Sequence, residues 1–382
     1  MGIRLGSIHR RGSVALSAWV AVLALVACSS PRGPAAPSAA GAAPAAPAAA
    51  PTANAAPAAS TATTTYQARA GLVPSVAGAP IVAGVDLGVY ARNGVDVSIE
   101  TFTATPQIMT AIAAGQLDFG QVTMGAAAFN AYQRGVDLVI ISAGSIGTVP
   151  VIVRKDLWDS GAVRSVQDLK DRTIAINGAG NILEYAMYKL LQHGGLTPAD
   201  VQVALMPFPD MVTALQNQAI DAAMMLEPTG SQAVSRGVGV ILEEKVGPGP
   251  ADNPWYAPGL QAGMLMANKQ WAADNPDAAV AVVKSYLEMA RRVQGTKIND
   301  DAEVLASIER WTKVSPEIVK HSTPTFWVPN GRVDTATLAD EQDYYIRAGS
   351  TDYKTPVPIS AVYTDRYLNI ALQQIGTVPE DQ

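Results

Sequence analysis

The stretch "TAIAAGQLDFG", residues 110–120, is answered further along the chain by "TALQNQAIDAA", residues 213–223. Thr110 stands opposite Thr213, Ala111 opposite Ala214, Ile112 opposite Leu215 and Asp118 opposite Asp221, always 103 residues apart. Each copy reads as a short helix, a turn at the Asp and a short apolar strand. Working outward from the first copy, residues 66–74 read as a strand and its exit loop. Residues 79–94 then read as one helix closed by Gly94, and 95–102 as an alternating strand. Thr105-Pro106 places a capping hydroxyl before a helix over 106–114. A strand at 116–122, a helix at 126–135 and a buried strand at 136–144 follow. Around the second copy the order returns: strand 172–177, glycine loop and helix 178–195, strand 201–208, helix 209–218, strand 219–225, loop and helix 227–237, strand 238–244. The echo therefore falls on the second helix and third strand of each half. Strand-helix alternation predicts an α/β fold of two similar lobes, each a mainly parallel sheet flanked by helices.

The first sixty residues differ in texture. Arg4, His9, Arg10 and Arg11 form a positive n-region, and "VALSAWVAVLALVA", residues 14–27, is an apolar run shorter than the roughly 20 residues of a membrane span. It closes on "LVAC", residues 25–28, which resembles the bacterial lipobox. Residues 1–27 are thus expected to be a lipoprotein signal peptide, with Cys28 as the lipidated residue and membrane anchor. Residues 28–63 are nearly all Ala, Pro, Ser and Thr, which predicts a disordered tether with little to bury. A lipid-anchored place on the extracytoplasmic side of a bacterial membrane follows.

Composition narrows the function. The 382 residues carry a net charge of −6, with no basic run past residue 12, so nucleic acid is not an expected partner. Cys28 is the only cysteine, which rules out an intramolecular disulfide or a cysteine metal cluster. His9, His193 and His321 are scattered, and neither a metal nor a cofactor is expected. No GxSxG, P-loop or HExxH is present, and "GAGN", residues 178–181, lacks the third glycine of a dinucleotide site. The chain does not read as an enzyme.

The order of "APIVAGVDLGVYARNGVDV" (79–97), "TATPQIMTAIAAGQLDFGQV" (103–122), "VQDLKDRTIAI" (166–176), "GLTPADVQ" (195–202), "DMVTALQNQAIDAAMMLEP" (210–228) and "SPEIVKHSTPTFWVPNGRVD" (315–334) resembles the solute-binding proteins of ABC importers. Within those it resembles the nitrate/sulfonate/taurine and thiamine-precursor group. The resemblance implies a two-lobed periplasmic-binding-protein fold (type II), closing on a small ligand and passing it to a permease and ATPase. It implies lobe one at 64–147 plus 247–382 and lobe two at 148–246, with crossovers at 144–149 and 246–254. A monomer is expected.

Ligands of open α/β sheets bind beyond the carboxyl ends of the strands. That rule selects the loops 73–80, 103–106, 122–126, 143–147, 177–181, 207–210 and 226–229. The expected ligand contacts are Ser75, Thr105, Thr123, Asn177, Asn181, Asp210 and Glu227, with Trp255 and Tyr256 from the return segment. Four of these, Ser75, Thr105, Thr123 and Asn181, are equally placed to act as helix caps. The seven loops hold no Arg or Lys, whereas carboxylates, amides and aromatics (Phe208, Tyr185) lie close. That favours a vitamin-type heterocycle such as riboflavin or an aminopyrimidine thiamine precursor. Sulfonate, taurine or nitrate binding is the alternative, for which Arg69 on the first strand is the available cation. A ligand-sensing domain partnered with a signalling protein is the remoter one.

Overall fold

The computed structural model describes residues 65–146, 149–242, 260–261 and 263–379. Cys28, Trp255 and Tyr256 lie outside the described residues, as do the leader and tether. Twelve strands are described: β1 Tyr66–Leu72, β2 Val95–Thr101, β3 Phe119–Val122, β4 Leu138–Ala143, β5 Ser145–Ile146, β6 Val151–Arg154, β7 Thr173–Ile176, β8 Gln202–Leu205, β9 Ala222–Met224, β10 Gly239–Ile241, β11 Met264–Asn268 and β12 Phe326–Trp327.

They form two five-stranded sheets, in the orders β2-β1-β3-β11-β4 and β10-β6-β9-β7-β8, plus a two-stranded ribbon β12-β5. The strands read from the two halves are parallel where they adjoin, β1 with β2 and β3, and β7 with β8 and β9. The antiparallel members are β11, set between β3 and β4, and β6, set between β9 and β10. All six residues of β4 are buried although it ends its sheet. The return chain covers part of that edge, with Ile140 N–H donating to Val362 O at 2.9 Å, Thr364 N–H to Ile140 O at 2.9 Å and Ala143 N–H to Gly331 O at 2.8 Å.

The repeat seen in the sequence is a repeat of backbone. Helix Thr105–Ala113 is matched by helix Phe208–Gln216, β3 by β9, and helix Ala126–Gln133 by helix Thr229–Ser235, each beginning 103 residues after its partner. Both copies turn through a left-handed residue at the same step, Gly115 (φ 69°) and Gln218 (φ 61°). In both, the Asp ahead of the strand is bonded twice to one residue of the neighbouring strand. Asp118 N–H donates to Arg69 O and its carboxylate accepts Arg69 N–H at 2.7 Å; Asp221 N–H donates to Thr173 O and its carboxylate accepts Thr173 N–H at 2.9 Å. Each carboxylate also holds a guanidinium, Arg69 at 2.8 Å and Arg154 at 3.3 Å. The apolar stripes Ile108/Ile112 and Met211/Leu215 are buried against their sheets, where truncation to Ala costs about 2–5 kcal/mol.

Two local expectations are corrected. The expected single helix over 79–94 is two, Ala79–Asp86 and Val89–Arg92, because Gly88 takes φ 69° between them. Thr105 is the first helical residue and not the cap. Ala104 occupies the cap position, and Gln107 Oε1 accepts the Thr103 N–H at 3.3 Å and its hydroxyl at 3.0 Å.

Candidate functional site

The carboxyl ends of β1 and β3 face those of β7, β8 and β9, and the loops beyond them meet. The loop after β3 and the loop after β7 touch directly: Ala126 N–H donates to Gly180 O at 2.8 Å, and Gly125 bridges Asn181. A Cβ on Gly125 would sit 2.7 Å from Gly180 O, so this approach requires glycine even though its φ of 170° does not.

A cavity of about 240 Å³ is lined by Pro74, Pro209, Val212, Pro228, Thr229, Gln232, Arg236, Thr312 and Val314. Its walls come from three parts of the chain. Pro74 follows β1. Pro209 and Thr229 stand in the first turns of helices Phe208–Gln216 and Thr229–Ser235. Thr312 and Val314 come from the end of helix Ala302–Thr312 in the return chain. In the two first turns amides are already bonded: Asp210 N–H donates to Pro207 O at 3.0 Å, Thr229 N–H to Leu226 O at 3.0 Å and Ser231 N–H to Glu227 Oε2 at 3.0 Å. Arg236 adds a full positive charge, and no carboxylate is among the lining residues. Thr229, Gln232 and Arg236 share one helix face by their spacing of three and four residues.

The seven described candidates divide around this cavity. Ser75, Asp210 and Glu227 each adjoin a lining residue in sequence: Pro74, Pro209 and Pro228. Ser75 makes no side-chain cap bond, so its hydroxyl is not committed to its own turn. Asp210 is exposed in the first turn of its helix. Glu227 is 6% exposed, and both oxygens meet backbone: Oε2 accepts Ser231 N–H at 3.0 Å and Oε1 accepts Thr323 N–H at 3.1 Å. Its charge is thereby neutralised by the N-terminal turn of its own helix and by a strand-side amide of the return chain.

The other four are not among the cavity's lining residues and fall into two bonded pairs. The Thr123 hydroxyl donates to the Thr105 hydroxyl at 3.3 Å, which brings two of the expected contacts together. Asn181 caps helix Ile182–His193, accepting Leu183 N–H at 3.0 Å and Glu184 N–H at 3.2 Å, and donates to Asn177 Oδ1 at 2.8 Å. Of the four candidates equally readable as caps, only Asn181 caps with its side chain. Arg69, the cation considered on β1, does not reach the cleft. Its guanidinium is held by Asp118 and by Gly115 O at 2.8 Å, at the far end of the strands. Tyr185 is buried and donates to Asp340 Oδ2 at 2.5 Å, away from the cavity lining.

Sequence reasoning missed Val212, Gln232, Arg236, Thr312 and Val314. Gln232 and Arg236 carried a signal, the 229/232/236 stripe on a helix that begins at a ligand-side loop. Val212 reads as a core position of its helix, and Thr312 and Val314 carried no signal, since only the return of the chain brings them there.

Two sheets with ligand-side loops facing across a cleft define the periplasmic-binding-protein fold. The nitrate-binding protein NrtA from Synechocystis PCC 6803 shares it with a TM-score of 0.66 at 18% identity, over 83% of this chain and 90% of that one. The chain belongs to the NMT1-like family, whose model matches residues 61–308. It is 27% identical over 234 residues to the bicarbonate transport ATP-binding protein CmpC of Synechocystis sp., covering 57% of this chain but only 34% of that protein. The taurine-binding periplasmic protein of Escherichia coli is 23% identical over 252 residues, 66% of this chain and 71% of its own length.

Proposed function

We propose that this chain is the solute-binding component of an ABC importer, and that its solute is a compact molecule bearing an oxyanion. The observation that carries the reading is the composition of the 240 Å³ cavity. Arg236 supplies a positive charge and Thr229, Gln232 and Thr312 supply hydrogen-bonding groups, while prolines and valines supply apolar walls. This is the chemistry of a sulfonate, nitrate or carboxylate group. The sequence favoured a vitamin-type heterocycle. No aromatic residue is among the described lining residues, and the cavity's volume is below the usual range of about 300–1,000 Å³ for drug-sized ligands. The names of the relatives, which include taurine and nitrate binders, support the anion.

On this reading the protein is a receptor and not an enzyme. It works as a monomer at the outer face of a bacterial membrane, lipid-anchored through Cys28, and docks on permease and ATPase subunits. Lobe one comprises 64–147 and 247–382, and lobe two 148–246. Replacement of Cys28 by Ser would move the protein from membrane to soluble fractions; retention on the membrane would refute the anchor.

The direct test is thermal unfolding of the protein with taurine, an alkanesulfonate, nitrate, bicarbonate, an aminopyrimidine and riboflavin in turn. Ligand that binds only the native state raises its stability by RT ln(1 + [L]/Kd). One of the anions should raise the melting temperature, and Arg236→Ala should reduce that solute's affinity by at least tenfold. A rise with riboflavin or the aminopyrimidine alone would overturn the oxyanion reading while leaving the receptor reading in place.

A further inference from the structure

Helix Thr335–Ala348 of the return chain lies between the two lobes. It packs on helix Ala126–Gln133 of the first, on helix Ile182–His193 of the second and on the short turn Ile359–Ala361. Its contact with the second lobe is aromatic and polar. The Tyr344 ring lies 4.6 Å from that of Tyr188 and 5.6 Å from that of Tyr185, while Asp340 accepts from the Tyr185 hydroxyl and from Lys189 Nζ at 3.2 Å. Its contact with the first lobe is Tyr345 against Phe129, at 6.4 Å. Glu341 stands three residues before Tyr344 and four before Tyr345, so it points into the seam between these two contacts. It is 1% exposed. Its Oε1 and the Tyr345 hydroxyl are both buried with no hydrogen-bond partner among the described residues. The nearby Tyr345 hydroxyl favours the ionised form, but burial outweighs it, so the carboxylic acid is the favoured state here.

We propose that helix Thr335–Ala348 is a proton-dependent latch between the lobes, closed while Glu341 is protonated and weakened as it ionises. The device is independent of which solute occupies the cavity.

The surroundings of Glu341 assign the titration to it. Burial, against the nearby Tyr345 hydroxyl and with the help of the Asp340 charge, pushes its carboxyl up to about 8. On its own helix, burial opposes ionisation of Asp340, but bonds from Tyr185 and Lys189 outweigh it and keep that carboxyl below the usual range. Burial raises the phenols of Tyr344 and Tyr345 there, of Tyr185 on the second-lobe helix and of Tyr132 on the first-lobe helix, so all four stay neutral. The remaining groups on these elements are Asp343 and Arg347 of the helix itself and Glu184, Tyr188, Lys189 and His193 of the second-lobe helix. The turn Ile359–Ala361 brings none. The sign follows. A carboxyl raised in the latched form binds its proton more tightly there than when hydrated, so latching is strongest below about 4.5. It weakens by up to about tenfold per pH unit until the raised value is passed, and is flat above it.

Hydrogen exchange of the full chain at pH 5 and pH 8, corrected for the intrinsic pH dependence of exchange, tests this. Protection of helices Ile182–His193 and Thr335–Ala348 should fall more than tenfold between the two, while that of helix Pro276–Arg292 in the first-lobe core stays constant. In Glu341→Gln, which cannot ionise, the fall should shrink to under twofold. Tyr344→Leu, which removes the aromatic contact and leaves Glu341 in place, should leave helix Ile182–His193 poorly protected at both pH values. Flat protection in the native chain, an undiminished fall in Glu341→Gln, or an equal fall in Pro276–Arg292 would each overturn the latch.

Discussion

Gly115 and Gln218 occupy the same left-handed step one repeat apart, and only the first is glycine. A side chain there costs about 1 kcal/mol in conformational strain. At Gly115 a Cβ would meet nothing within 4 Å, so conformation alone sets the penalty. Gln218→Gly should therefore leave stability unchanged or raise it by up to about 1 kcal/mol, the gain being trimmed by the freer unfolded chain. Gly115→Gln should lower it by about the same amount. Urea unfolding of the two variants checks this; equal losses from both would show that Gln218 is held by contacts specific to its side chain. The Asp that ended each echo was legible in the sequence as a turn residue. Its actual bonding, both N–H and carboxylate to one residue of the next strand, depends on a neighbour about 50 positions away and was not.

At the level of elements, periodicity located both copies of the strand-helix-strand unit, because each buries an apolar stripe that the local sequence displays. It did not locate β6 or β11, whose residues lie among Gly- and Pro-rich crossings and whose antiparallel direction depends on where the chain has been before. The same reason explains the cavity. Its lobe-two wall lies on helices whose N-termini the strand-end rule selects, so Pro209 and Pro228 were approached to within a residue. Its remaining wall, Thr312 and Val314, is supplied by the return chain, 76 residues or more beyond Arg236 (312 − 236). Three hydroxyls expected to face the ligand or cap a helix, those of Ser75, Thr105 and Thr123, do not cap, since glutamine and backbone groups satisfy those turns instead.

For the whole molecule, the backbone bond between Ala126 and Gly180 holds the loop after β3 and the loop after β7 in contact. Gly125→Val is the probe of that state. Its extended φ suits valine, so neither helix nor sheet should suffer, yet the new Cβ would sit 2.7 Å from the Gly180 carbonyl. The variant should melt within a few degrees of the native protein, scatter as a larger particle, and bind its solute at least tenfold more weakly. An unchanged radius of gyration with unchanged affinity would show that closure tolerates a wider seam there.

β11 joins β3 to β4, which share no ladder of their own. The second sheet draws all its strands from residues 151–241, whereas the first waits for 264–268 before its two portions can be united. A chain emerging from the ribosome N-terminus first thus delivers the later sheet whole while the earlier one still has a gap. The half that is begun first is finished last, and until then the exposed flanks of β3 and β4 are the surfaces from which such a nascent chain must be shielded.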